Sequence, residues 1–227
     1  MRKSIASFLP LLFTAACNLT TQGEYGAVAF DPEDCGQAFC SLDFVLAAGT
    51  SVDIEIDGLD GIDTSRMSLV ADDPGVAVVV PIYGFGPVRW RVIGVDEGRT
   101  DLVVVDRAGY EVDYTSIGVR RPSSLGLSLQ FGPAVAHLGQ PEGLEVWTVG
   151  AASYVDFHVR PLDWAGGELM GKLELDADMD AALFAALEPS ANITGGELTV
   201  RPMLPGDYGA SFYGPRGLIL DVVLEVR

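Results

Sequence analysis

Two stretches of this 227-residue chain repeat one another at a fixed distance. Gly206 follows Gly98, Gly217 follows Gly109 and Pro189 follows Pro81, each by 108 residues. In the first copy Val88, Trp90 and Val92 alternate with Arg89 and Arg91. A turn at Asp96-Glu97-Gly98 comes next, then the apolar run Leu102 to Val105. A second turn at Asp106 to Gly109 leads into the alternating run Tyr110 to Tyr114. Period-two alternation bounded by Gly and Asp turns is a strand–turn–strand signal. In the second copy Leu198 and Val200 stand where Trp90 and Val92 do. Leu218, Leu220 and Val222 stand for Tyr110, Val112 and Tyr114, and Asp221 for Asp113. A one-residue slip would turn every side chain to the opposite face, so agreement in parity is informative. The repeat predicts two consecutive domains of one all-β type. Trp90, Val92, Val112 and Tyr114 are expected to face one core, and Leu198, Val200, Leu220 and Val222 the other. Glu111, Asp113 and Asp221 are expected to face water.

Composition agrees with this reading. Hydrophobic residues make up 48% of the chain, so it is not a disordered one, and 27 Gly with 13 Pro suit many turns. The best helical candidate is the short Ala-rich stretch Asp178 to Leu187, which the 108-residue offset lays over a turn and strand, Val70 to Val79. The net charge of −18 argues against nucleic acid, whose binding needs basic side chains against phosphate. A bare anionic membrane surface is an equally poor partner.

Met1 to Ala16 has the form of a signal segment. Arg2 and Lys3 give a positive start, and Ile5 to Phe13 is apolar but too short to span a bilayer. The segment ends Thr14-Ala15-Ala16-Cys17. This resembles the lipobox of bacterial lipoproteins, which implies a lipid on Cys17. Asn18 in place of Asp then implies the outer membrane. The same small residues also satisfy an ordinary secretory signal cut after Ala16. The only other cysteines, Cys35 and Cys40, are close enough to close a small loop around Gly36. In an oxidising compartment they are expected to pair as a disulfide, leaving Cys17 odd unless it is lipidated. Residues 17–24 are expected to form a tether, part of a polar, Gly-containing stretch, Asn18 to Gly26, that reaches at most about 30 Å.

The domains are placed at 25–121 and 122–227, with the linker centred on Pro122. Val52, Ile54 and Ile56, alternating with Asp53, Glu55 and Asp57, form the clearest half-buried strand. Gly49-Thr50-Ser51-Val52, Ala71-Asp72-Asp73-Pro74-Gly75-Val76-Ala77-Val78 and Gly94 to Leu102 resemble the bacterial immunoglobulin-like domains of the group-2, invasin/intimin-associated kind. That resemblance spans roughly residues 42–119. It implies two tandem immunoglobulin-like β-sandwich domains of structural and adhesive type, with no catalytic residues to carry over. In the second domain, Pro205-Gly206-Asp207-Tyr208 resembles the tyrosine corner of such sandwiches, in which the hydroxyl bonds backbone just upstream.

No motif for nucleophilic, zinc or phosphate chemistry occurs, and only two histidines are present, His137 and His158. Asp176, Asp178 and Asp180 match the opening of a calcium loop, but Ala181 and Leu187 occupy the positions that need Gly and Glu. A looser calcium site could be formed there, or by Asp57, Asp60 and Asp63. The reading is therefore a non-catalytic, lipid-anchored envelope protein without cofactor or metal. It would serve in adhesion, binding or envelope structure toward an unknown protein or glycan ligand. The alternatives are a calcium-dependent binding module and a carboxylate-based hydrolase.

Overall fold

The computed structural model describes residues 21–33, 45–83, 88–141, 143–188, 191–201 and 203–227. The chain is all-β and forms two tandem immunoglobulin-like sandwiches. The first contains β1 (Thr21–Gln22), β2 (Val28–Glu33), β3 (Leu46–Ala47), β4 (Ser51–Gly58), β5 (Ser68–Ala71), β6 (Ala77–Ile82), β7 (Arg89–Gly94), β8 (Gly98–Val105) and β9 (Glu111–Arg120). One sheet runs β1-β2-β4-β7-β6 and the other β3-β9-β8-β5, with β3 parallel to β9. Between them lie Phe30, Ile54, Trp90, Val92, Leu102, Val104 and Ile117, all buried. Each comes from a run alternating apolar and polar residues, which buries one face of its strand.

The second sandwich contains β10 (Ser124–Phe131), β11 (Ala134–Ala136), β12 (Leu144–Val149), β13 (Val155–Leu162), β14 (Asp176–Met179), α1 (Ala181–Ala186), β15 (Glu197–Val200), β16 (Gly206–Tyr213) and β17 (Ile219–Val226). Its sheets run β10-β13-β15 and β11-β12-β17-β16-β14, with β12 parallel to β17. Phe157, Leu198, Phe212, Leu220 and Leu224 fill the space between them, and Trp147 meets Phe157 edge-on at 5.1 Å.

The repeat is visible in the pairing. Gly98 opens β8 and Gly206 opens β16. Each strand returns through a five-residue loop whose fourth residue is a glycine of positive φ, +85° at Gly109 and +79° at Gly217. Glycine takes that conformation without the Cβ clash other residues suffer. Val79 pairs with Val92, and Leu187 bridges Val200, 108 residues on. Where the copies differ, their residues explain it. Val76 to Val80 is rich in β-branched residues and forms β6. The matching stretch, Ala-Leu-Phe-Ala-Ala, has none and turns as α1 inside the expected Asp178 to Leu187 span. The tyrosine-corner resemblance holds in one respect: the Tyr208 hydroxyl donates to the Leu204 carbonyl at 2.9 Å.

One expectation is overturned. Val104 pairs with Asp113 but Val105 pairs with Glu111, so Val112 is an extra residue in the ladder. This β-bulge reverses the parity of the rest of β9. Val112 rests half-buried on the core, Asp113 turns inward with 0% exposure, and Tyr114 turns outward onto Tyr25, ring centres 5.3 Å apart. From there the buried positions are Thr115, Ile117 and Val119. In β17, which has no bulge, Leu220 and Val222 face inward and Asp221 outward as expected.

Candidate functional site

The sandwiches meet through interlocking backbone as well as side chains. After β13 the chain turns at Asp163, whose carboxylate accepts from the N–H groups of Ala165 (2.9 Å) and Gly167 (2.8 Å) and from Arg120 at the end of β9. The Gly167 N–H is the main reason this carboxyl sits below its ordinary pKa. The chain then returns along the first sandwich. Met170 N–H donates to the Val45 carbonyl, and Ala47 N–H to the Met170 carbonyl, both at 2.8 Å. Lys172 N–H donates to the Ser51 carbonyl at 2.7 Å. Leu46 thus bridges Met170, and Ser51 bridges Lys172, across the domain boundary.

Met170, 1% exposed, belongs to the core of the first sandwich although it lies in the second half of the chain. Gly171, φ +125°, lies beneath Thr50, and a Cβ there would fall 1.9 Å from Thr50 Oγ1. Only glycine fits. On the outer side Arg121 grips Asp96 through two bonds, at 2.7 and 2.9 Å, and holds its carboxyl down to about 2. Arg216 donates to the Val95 carbonyl at 2.8 Å. Sequence reasoning missed this joint. Its signal was Gly166-Gly167-Glu168-Leu169-Met170-Gly171, two apolar residues flanked by glycines in a stretch without strand periodicity.

A second built feature is the clamp on the N-terminal hairpin. The inward carboxylate of Asp113 accepts from the N–H groups of Tyr25 (2.8 Å), Ala27 (2.7 Å) and Val28 (3.0 Å). Thr21 and Gln22 pair with Phe30 and Ala29. The expected 17–24 tether is therefore shortened, since residues 21–22 are already a strand of the first sheet. Cys17, Cys35 and Cys40, the expected lipid and disulfide residues, lie outside the described residues.

The acidic groups considered for calcium do not converge. Asp63 caps a short turn by accepting from Ser65 N–H, Asp180 accepts from Gly209 N–H, and Asp57 lies on the outer face of β4. Among the described residues no group of three His, Cys, Asp or Glu side chains could hold a metal ion. The carboxyls of Asp31 and Glu55 are raised above their ordinary range, first by desolvation and then by neighbouring carboxylates including Asp57 and Glu33. They pair across β2 and β4 on an outer sheet face. His158 lies on the outer face of β13, its Nδ1 3.0 Å from an Arg160 nitrogen. His137 Nε2 lies 2.8 Å from Thr148 Oγ1, far from it in the fold. Among the described residues no helix is long and apolar enough to cross a membrane.

No family model and no curated protein matches the chain. Solved structures of low similarity do. Domains 5–6 of the S-layer protein SbsC align over 86% of this chain and 97% of that one, at 17% identity and TM-score 0.31. The SGBP-B protein of the Bacteroides ovatus mixed-linkage glucan utilization locus, solved with a heptasaccharide, aligns over 86% of this chain and 46% of that one, at 10% identity and TM-score 0.32. The fibronectin(III)-like modules of Clostridium thermocellum CbhA align over 88% and 94%, at 13% identity and TM-score 0.27.

Proposed function

We propose that this is a non-catalytic envelope protein, attached through a lipid on Cys17 to the bacterial outer membrane, that carries its two sandwiches as one stiff unit. The joint is the observation that supports the reading. Backbone pairing across the boundary, a core residue lent by one domain to the other, and the Arg120–Asp163 and Arg121–Asp96 ion pairs oppose hinge motion. A stiff pair suits a spacer, an adhesin or an assembly component. The group-2 immunoglobulin-like resemblance points the same way. Four residues separate Cys17 from Thr21, so the lipid would hold the first sandwich within about 14 Å of the bilayer surface. Cys35 and Cys40 are proposed to pair in the same oxidising compartment.

The test is mass spectrometry of the mature N-terminal peptide from a bacterial envelope fraction. A diacylglycerol-modified Cys17 as first residue is expected, with Cys17→Ser left soluble or unprocessed. An unmodified Cys17, or cleavage elsewhere, would overturn the anchor.

A further inference from the structure

Beside the joint lies a cleft of about 560 Å³, with walls from both sandwiches. This is within the range of roughly 300–1,000 Å³ usual for small-molecule sites, which favour domain interfaces. Ser51 and Arg91 come from the first sandwich; Lys172, Glu174, Asp176, Asn192 and Thr194 come from the second. One wall is built by strand periodicity. Leu173 and Leu175 are buried in the second core, so Lys172, Glu174 and Asp176 turn the other way, toward the cleft. Arg91 is fixed by two bonds to Asp53, each 2.7 Å. Asn192 Oδ1 accepts from Gly195 N–H and the Thr194 hydroxyl, both at 3.1 Å, which leaves Nδ2 as the donor of that side chain. Because Lys172 and Ser51 are themselves bonded across the boundary, the cleft is preformed.

The charges decide what it takes. The chain carries −18 overall, and Lys172 is its only lysine after Lys3. Yet the cleft sets Arg91 and Lys172 against Glu174 and Asp176, two cations to two carboxylates. A polyanion would meet Glu174 and Asp176 within a strongly negative protein. A polycation would meet Arg91 and Lys172. An uncharged polyhydroxylated ligand satisfies both sets, because each hydroxyl both donates and accepts. Carboxylates accept from it, while guanidinium, ammonium and amide groups donate to it.

We infer that the cleft is a binding site for a neutral oligosaccharide. The inference does not depend on lipidation of Cys17.

The test is titration of the full soluble chain with maltotriose, cellotriose and chitotriose, followed by amide chemical shifts. Trigalacturonate and a chitosan trimer serve as charged analogues. Saturable binding of at least one neutral trisaccharide is expected, with shifts centred on Lys172 to Asp176 and Asn192 to Gly195. The double variant Glu174→Ala/Asp176→Ala should weaken it at least tenfold, as should Lys172→Ala. Asp221→Ala, away from the cleft, should leave it unchanged. Circular dichroism and melting temperature check that the variants fold. Three results would overturn the inference: no saturable binding of any neutral probe, binding indifferent to the cleft variants, or tighter binding of a charged analogue.

Discussion

The closing hairpins β8–β9 and β16–β17 descend from one pattern and differ by a single residue. Their loops match position for position, down to the glycine of positive φ at Gly109 and Gly217. Beyond the loop the N-terminal copy accommodates Val112 as a bulge, and every later side chain of β9 changes face. The C-terminal copy keeps regular pairing through β17. The bulge turns Asp113 inward, where it binds three N–H groups of the N-terminal hairpin; its counterpart Asp221 stays on the surface, accepting from Ser211. One sequence position is thus a structural clamp in one domain and a solvated carboxylate in the other. A bulge is a means of re-aiming a side chain, here toward a segment that the second copy lacks.

The largest contrast is expected at the next position. Val222→Asp puts an unpaired charge into the second core, at a cost of several kcal/mol, a large part of a domain's stability of about 5–15 kcal/mol. Tyr114→Asp, at the equivalent position, loses chiefly an edge-on contact with Tyr25, about 0.5–1.5 kcal/mol. Urea unfolding of the two variants measures the difference; equal losses would mean that β9 has no parity switch.

Next in size is the clamp. Asp113→Ala strands three backbone donors and should cost about 3–5 kcal/mol, whereas Asp221→Ala should cost less than about 1 kcal/mol. Hydrogen exchange at Ala27 and Val28 should accelerate in the first variant alone.

The cores are also unequal. The first takes Met170 from the second domain, while the second core cluster consists of residues from Leu125 onward. Met170→Ala should therefore destabilise the N-terminal sandwich by about 2–5 kcal/mol, with the loss seen as faster exchange at Leu46, Val92 and Val119. Faster exchange confined to the C-terminal sandwich would refute the lending of a core residue.

The smallest effect concerns the outer sheet faces. The row Asp31–Glu55–Arg89 places two carboxylates side by side, where the second domain has Ser128–His158–Glu197. Because the Asp31 and Glu55 carboxyls are raised in the fold, the native state holds more protons than the unfolded chain. Stability contributed by these groups is therefore lost as pH rises through the carboxylate range. Asp31→Asn with Glu55→Gln should stabilise the protein at pH 7 by about 0.2–1 kcal/mol, and the gain should fade at acid pH. Asp96 has the opposite sign. Its carboxyl is held down to about 2 by Arg121, so its contribution is present above its unfolded value and lost as pH falls through about 2. As the group is exposed, salt should screen it.

These contrasts show how far sequence carries. The strands were legible because Val52–Ile54–Ile56 and Leu198–Val200 alternate in a way only a one-sided strand requires. The turn glycines were legible because they recur at one spacing. The bulge was not, since Glu-Val-Asp-Tyr reads as uninterrupted alternation. Its inward charge is satisfied by backbone donors 85 to 88 residues away, which no local pattern reveals. The joint was hidden for the same reason: Met170 contacts Val45 and Ala47, partners fixed by tertiary structure. Of the candidate site, the cysteines were visible by motif. The cleft was not, because its walls are distant in sequence.

The stiffness of the pair is tested most directly by residual dipolar couplings of backbone amides in a weakly aligned sample. A single alignment tensor should fit β4, β8 and β9 together with β13, β16 and β17. Two tensors of different magnitude, one for each sandwich, would mean that the domains move independently and that the joint does not hold them.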